Sequence, residues 1–123
     1  MEILHSDKAP AALGPYSQGI AVNGFVFTSG QLGMIPDTGE LAHSMAAQTV
    51  QALENVAAVL KEAGLTLDNV VKTTCYLKNM EDFSLFNEIY GQYFVNTKPA
   101  RSCFQVAKLP KDAMVEIEVI AAK

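Results

Sequence analysis

One arginine stands among eight lysines in this 123-residue chain: Arg101, two residues beyond Pro99. A guanidinium is the side chain best shaped to grip a carboxylate through two parallel hydrogen bonds, a geometry an ammonium lacks. If the segment around it is extended, Arg101, Cys103 and Gln105 share one face, and Ser102, Phe104 and Val106 share the other. Phe104 and Val106 are expected on the core side, which turns Arg101 toward the opposite, interfacial side. Fifteen residues on, Glu116 and Glu118 share a face of a second extended segment. A hairpin joining the two segments would set that face beside Arg101. Two roles then fit the arginine. It can pair with a glutamate inside the sheet, since an unpaired buried charge is costly. It can instead clamp a substrate carboxylate while one glutamate neutralises it and the other acts as a general base. Spacing alone does not choose between Glu116 and Glu118.

Other chemistries find less support. Cys103 has no histidine near it in sequence and reads as a small packing residue. Ser29 lies outside a Gly-x-Ser-x-Gly context. His5 and His43 are isolated, and no Cys-x-x-Cys or His-x-x-x-His spacing occurs, so no metal site is expected. The tract Gly14-Pro15-Tyr16-Ser17-Gln18-Gly19 is a poor phosphate loop and reads as a turn, with Tyr16 by residue type a core residue. A net charge of -4 argues against nucleic acid as a partner, because phosphate binding wants clustered Lys and Arg. No apolar run is long enough for a transmembrane helix. Met1–His5 has neither a basic nor an apolar leader segment, so a cytoplasmic location is expected, with Cys75 and Cys103 as free thiols.

The elements that must position these residues follow from pattern. The length suits one domain spanning 1–123, and 50% hydrophobic with 18% charged residues suits a globular chain. Asn23-Gly24 between Ile20–Val22 and Phe25–Thr28 signals a type I′ hairpin, pairing Val22 with Phe25 and Ile20 with Phe27. Gly30, Gly33, Pro36 and Gly39 mark a loop. A helix is expected from Ser44 to Ala63, capped by Ser44 and stopped by Gly64, with an apolar stripe of Ala46, Val50, Leu53, Ala57 and Leu60. Val70–Leu77 reads as a strand. Asn79 caps a second helix that buries Phe83, Phe86, Tyr90 and Phe94. Arg101–Ala107 and Met114–Ala121 complete a β-β-α-β-α-β-β order. Right-handed crossovers put both helices on one face of a mixed sheet, a two-layer α+β fold. The uncovered face is too apolar for water, which points to a symmetric homo-oligomer.

Several pieces then stand together in order: Gly14-Pro15-Tyr16-Ser17-Gln18, Thr28-Ser29-Gly30-Gln31, Asn87-Glu88-Ile89-Tyr90, Pro99-Ala100-Arg101-Ser102-Cys103, Leu109-Pro110-Lys111-Asp112 and Val115-Glu116-Ile117-Glu118. Over essentially the whole chain this resembles the Rid (reactive intermediate deaminase, YjgF-type) family, in its archetypal RidA branch. The resemblance implies a chorismate-mutase-like fold and a homotrimer with clefts between subunits. It implies hydrolysis of 2-imino acids or their enamine tautomers, such as 2-iminopropanoate, 2-iminobutanoate and 2-aminoacrylate, to 2-keto acids and ammonia. Those intermediates leave pyridoxal-phosphate-dependent dehydratases, and the resemblance implies no cofactor for the hydrolase itself. Carried over by position, it makes Arg101 and Glu116 the catalytic pair, preferring Glu116 to Glu118. It puts Tyr16, Ser29, Gly30, Asn87 and Cys103 around the substrate. Two alternatives remain at this level: a trimeric regulatory protein that binds keto or imino acids without turnover, and a ribonuclease or translation inhibitor.

Overall fold

The computed structural model describes residues 1–123. Its strands are β1 (Glu2–Leu4), β2 (Gly19–Val22), β3 (Phe25–Thr28), β4 (Gln31–Leu32), β5 (Val70–Leu77), β6 (Ala100–Gln105) and β7 (Val115–Ala122), and its helices are α1 (Met45–Lys61) and α2 (Phe83–Tyr93). They form a seven-stranded mixed sheet, in order β1-β2-β3-β7-β5-β6, with β4 also paired to β7. The architecture is the expected α+β arrangement of two helices on one sheet face. The β2–β3 hairpin has the expected register, Val22 with Phe25 and Ile20 with Phe27. Its turn residues take the left-handed conformation that a type I′ turn demands, with φ of 51° at Asn23 and 81° at Gly24.

Two strands escaped the sequence reading. β1 has three residues and β4 two, too few for alternation to show. The arrangement of the last two strands also differs from the expected hairpin. β7 lies between β3 and β5, antiparallel to both, while β6 runs parallel to β5 at the far edge. β6 and β7 are therefore not neighbours. A connection that leaves β6 and crosses under β5 satisfies the same order of elements along the chain, so local pattern does not separate the two solutions.

Packing explains why the sheet is one-sided. On β7, Val115, Ile117, Val119 and Ala121 are buried, while Glu116, Glu118 and Ile120 point away. Leu53, Val56, Val59 and Leu60 of α1 are wholly buried with them, each contributing about 1.5–3 kcal/mol of transfer free energy. Ser44 caps α1 as expected, its Oγ accepting from the Ala47 N–H at 3.0 Å, and Gly64 follows its end at φ 74°. The buried stripe is nevertheless rotated from the expected one. Met45, Gln48, Thr49, Ala52, Leu53, Asn55, Val56, Val59 and Leu60 are inside, and Val50 is exposed. Three polar residues sit in that stripe because each meets a main-chain group. The Asn55 amide donates to the carbonyls of Leu32 and Met34 at 3.0 and 2.9 Å. Gln48 donates to the Ala42 carbonyl and accepts from the Met114 N–H. Helix α1 thus fastens the 32–42 loop. A Cβ at Gly33 would collide with the Gln48 backbone, which explains a glycine there without any turn requirement.

The opposite sheet face carries no element of this chain. Phe25, Phe27 and Ile3 on it are 45%, 43% and 64% exposed, beside Ile20 and Ile120. No helix is long and apolar enough to cross a membrane.

Candidate functional site

Arg101 sits on the helix-facing side of β6, not on the open face. Its register partner on β5 is Thr73, whose side chain is fully buried toward α2. There the guanidinium lies over two aromatic rings, its carbon 4.8 Å from the Tyr90 centroid and 5.5 Å from that of Phe83. Its Nη1 donates to the Asn87 side-chain carbonyl at 2.7 Å. The Tyr90 hydroxyl is 2.8 Å from the Thr73 hydroxyl, which fixes the ring beneath the cation. Phe104, expected in the core, is 45% exposed on the open face, where it meets Tyr76 edge to face at 5.4 Å. The strand is thus inverted from the sequence expectation. A cation on an aromatic floor at the sheet margin satisfies burial as well as a phenylalanine would, and alternation cannot tell which occupant a margin takes.

Neither glutamate pairs with Arg101. The ion pair of the chain is Lys78–Asp112, on the surface, where His5 also hydrogen-bonds Asp7. The in-sheet pair weighed from spacing is therefore absent: Arg101 and Glu116 project from opposite faces of the sheet. The Arg101 Nε and Nη2 make no hydrogen bond or ion pair within the chain. It lines a cavity of about 420 Å³ with Asn87, Tyr90, Gly91, Phe94, Lys98 and Pro99.

Glu116 belongs to a second cavity, of about 290 Å³, with Tyr16, Gln18, Gly30, Gln31 and Pro110 among its lining residues. Strand β3 ends at Thr28, and Ser29 diverts the chain. The Ser29 hydroxyl donates to the Ser17 carbonyl at 2.5 Å and its N–H to that of Gln18 at 2.9 Å. Thr28 Oγ1 accepts from the Val119 N–H where the ladder lapses. This detour brings Gly30 under the Glu116 carboxylate, so close that a Cβ at position 30 would overlap Oε1 and come within 2.7 Å of Cδ. A side chain at position 30 would meet the flexible end of Glu116, which would have to shift; no backbone angle demands glycine there. Burial pushes the Glu116 carboxyl above the usual carboxylate range, and the Glu118 charge adds to that. Glu118 is engaged differently, accepting from the Tyr76 hydroxyl at 3.0 Å.

The expected residues thus divide into two groups. Arg101, Asn87 and Cys103 lie on the α2 side. Glu116, Gly30 and Tyr16 line the other cavity, where Tyr16 is 54% exposed, not in the core, while Ser29 precedes Gly30 and does not itself line it. Asn87 orients the arginine, and Ser29 has its hydroxyl proton committed to the loop. Cys103 is a free thiol opposite Cys75, and burial pushes it up, offset in part by the Arg101 charge. Sequence reasoning missed Tyr90, which it assigned only to the core, and Gln18. The Gln18 amide is buried, accepting from Ser6 N–H at 2.6 Å and donating to the Pro10 carbonyl at 2.7 Å, so it ties the N-terminal segment behind the Tyr16 loop. A glutamine beside Gly19, at the end of a turn-forming tract, was the only signal.

A family profile described as Endoribonuclease L-PSP matches residues 6–123. Reactive Intermediate Deaminase A, chloroplastic, of Arabidopsis thaliana is 51% identical over 121 residues, covering 98% of this chain and 65% of that protein. The crystal structure of the YjgF gene product of E. coli superposes with a TM-score of 0.97 at 43% identity, covering 100% of this chain and 99% of the other. E. coli TdcF with bound serine gives the same TM-score, identity and coverage.

Proposed function

The chain belongs to the Rid (YjgF-type) family, matched by the Endoribonuclease L-PSP profile, and on that premise we propose that it hydrolyses small 2-imino acids to 2-keto acids and ammonia. The observation that carries the reading is the unpaired guanidinium of Arg101, aimed by Asn87 and floored by Tyr90. The carboxylate of 2-iminopropanoate or 2-iminobutanoate takes the free Nε–Nη2 edge through two charge-assisted hydrogen bonds. That fixes the adjacent C=N carbon and makes attack by water a positioned step. Glu116 accepts a proton as the water oxygen bonds to that carbon. That proton passes to nitrogen to give a carbinolamine; the hydroxyl proton then follows it to nitrogen through Glu116, the C–N bond breaks, and ammonia leaves as the carbonyl forms. The Tyr16 ring shields the cleft, with Gly30 and the β6 backbone at Cys103 completing it. A relative that holds serine, an α-amino acid with its own carboxylate, supports a site of this chemistry.

The two halves of this site lie on opposite faces of one chain. The working cleft is therefore one that joins the Arg101 half of one copy to the Glu116 half of another, in a homotrimer held by the open apolar face. Substrate reaches it from pyridoxal-phosphate-dependent dehydratases that release enamines such as 2-aminoacrylate.

The test generates 2-iminopropanoate with an amino-acid oxidase and times its loss with and without the protein. Acceleration is expected, abolished in Arg101→Ala and also in Arg101→Lys, since an ammonium cannot make the paired contact. Glu116→Ala is expected to cost more turnover than Glu118→Ala. No acceleration by the wild type, or near-normal activity in Arg101→Lys, would overturn the proposal. RNA cleavage that persists in Arg101→Ala after stringent repurification would favour the activity in the family's description instead. Neither histidine lines either cavity, and the net charge is -4.

A further inference from the structure

Glu116 does not stand alone on the open face. Strand alternation places Glu118 two residues along the same face of β7. Across the ladder on β5, Tyr76 is the register partner of Glu116, and Thr74 that of Glu118. Tyr76 nonetheless sends its hydroxyl diagonally, to Oε1 of Glu118 at 3.0 Å. Its ring is held from the other side by the edge-to-face contact with Phe104. Burial, then the hydrogen bond to Glu118, holds the Tyr76 phenol above its usual range, so it donates throughout the working pH range. The result is a carboxylate pinned beside Glu116 by a residue that also walls Glu116 on its β5 side.

We propose that Tyr76 and Glu118 are positioning residues for Glu116: Tyr76 anchors the Glu118 carboxylate, and that fixed negative charge makes Glu116 a stronger proton acceptor. The role follows from the reaction, and it rests on the imine-hydrolysis reading. A carboxylate of ordinary acidity is a poor base toward water. One that is half-buried above Gly30 with a like charge beside it takes the water proton more readily. It then delivers that proton to nitrogen, relays the hydroxyl proton the same way as the C–N bond breaks, and returns to its starting state. Within the chain, the other groups facing Glu116 leave this charge uncompensated, and in the proposed cleft the neighbouring copy's Arg101 is taken up by the substrate carboxylate. Tyr16 brings no cation, Lys72 is turned to the Ser102 hydroxyl on β6 at 3.1 Å, and Asp112, in the Pro110–Asp112 turn, is held by Lys78. Arg101 of the same chain is on the far side of the sheet, held by Asn87.

The experiment has two readouts. In the first, kcat/KM for 2-iminopropanoate is measured against pH. Glu118→Gln is expected to move the acid limb to lower pH, with the plateau falling by less than about tenfold, whereas Glu116→Gln loses about 10²–10⁴-fold. Tyr76→Phe frees the Glu118 carboxylate to swing toward solvent and moves the limb in the same direction by less. The double variant matches Glu118→Gln alone, because both act through one charge. In the second readout, the 13C signal of the Glu116 carboxyl is titrated by NMR in wild type, Tyr76→Phe and Glu118→Gln, with no substrate. The midpoint is expected to fall in that order. An unchanged or rising midpoint overturns the proposal whatever the enzyme's activity. A falling midpoint in a protein without imine hydrolysis upholds the coupling and overturns only the assigned reaction. If Glu118→Gln does not fold, the Tyr76→Phe shift decides the matter, since it leaves both carboxylates in place.

Discussion

The two faces of the sheet are built on different terms. The α2 face at Arg101 is closed within one chain: the guanidinium has an aromatic floor, an amide at 2.7 Å and a second tier in which Thr73 holds Tyr90. The open face at Glu116 is incomplete within one chain. Its carboxylate has no hydrogen-bond partner of its own, its lining loop carries an exposed tyrosine, and the strands beside it present Phe25, Phe27 and Ile3 to the outside. A cation can be preorganised locally because aromatic faces and a neutral amide hold it without neutralising it. A base of raised affinity for protons needs the opposite, a place where nothing neutral or positive answers its charge. The chain separates the two requirements by the thickness of the sheet, and the proposed assembly is what would reunite them.

The sharpest way to break that comparison is to put the two defects in different chains. Arg101→Ala and Glu116→Ala proteins, each inactive alone, are unfolded together, refolded as mixed trimers and assayed. If each cleft draws its arginine and its glutamate from different copies, random assortment leaves about a quarter of clefts intact, and activity returns from zero to that fraction. If both come from one chain, every cleft keeps a defect and nothing returns. Mixing folded trimers without exchange is the control and should stay inactive.

A smaller effect is expected at Gly30. Alanine there demands no forbidden backbone angle, yet its Cβ claims the space of the Glu116 carboxylate, whose flexible end must move outward. Gly30→Ala should lower kcat for imine hydrolysis by about 10-fold to 10²-fold, as a misplacement near 1 Å does. Substrate grip by Arg101, read as inhibition by a 2-keto acid, should change little. Equal losses in both would mean that position 30 supports the whole cleft and not the glutamate alone.

What the sequence discloses of this arrangement follows how local each signal is. The hairpin at Asn23-Gly24, the Ser44 cap and the extent of β5 depend on residues a few positions apart, and all three occur where expected. The sidedness of β6 depends on α2, fourteen residues upstream of Arg101 at Asn87, and alternation is symmetric with respect to it. Treating Phe104 as core was reasonable by hydrophobicity and failed because the open face is itself apolar. In α1, the buried amides Gln48 and Asn55 shift the stripe because their partners are loop carbonyls, which hydrophobic periodicity does not weigh. Of the candidate site residues, Arg101 stood out through its rarity and Glu116 through resemblance. Their separation to opposite faces is a property of strand order, which no local pattern encodes.

The smallest expected effect sharpens the closed side of the comparison. Cys103 follows Arg101 by two residues on the same face of β6, and its register partner on β5 is Cys75. Both thiols are free, and burial pushes Cys75 up to about 12 and Cys103 upward as well, the latter against the pull of Arg101. A thiol held protonated is a poor nucleophile, and the thiolate is the reactive form. The part of Cys103 available to a bound carboxylate is then its backbone, which any residue supplies. Cys103→Ser should leave kcat/KM for 2-iminopropanoate within about threefold of wild type, and it should cost about 1 kcal/mol of stability from loss of packing against the core. In the wild type, a disulfide reagent such as DTNB should modify Cys103 far more slowly than free cysteine at the same pH. Fast modification with parallel loss of activity would show a thiol exposed to the cleft. The α2 side would then be as open as the Glu116 side, and the contrast between a finished half and an unfinished one would fail.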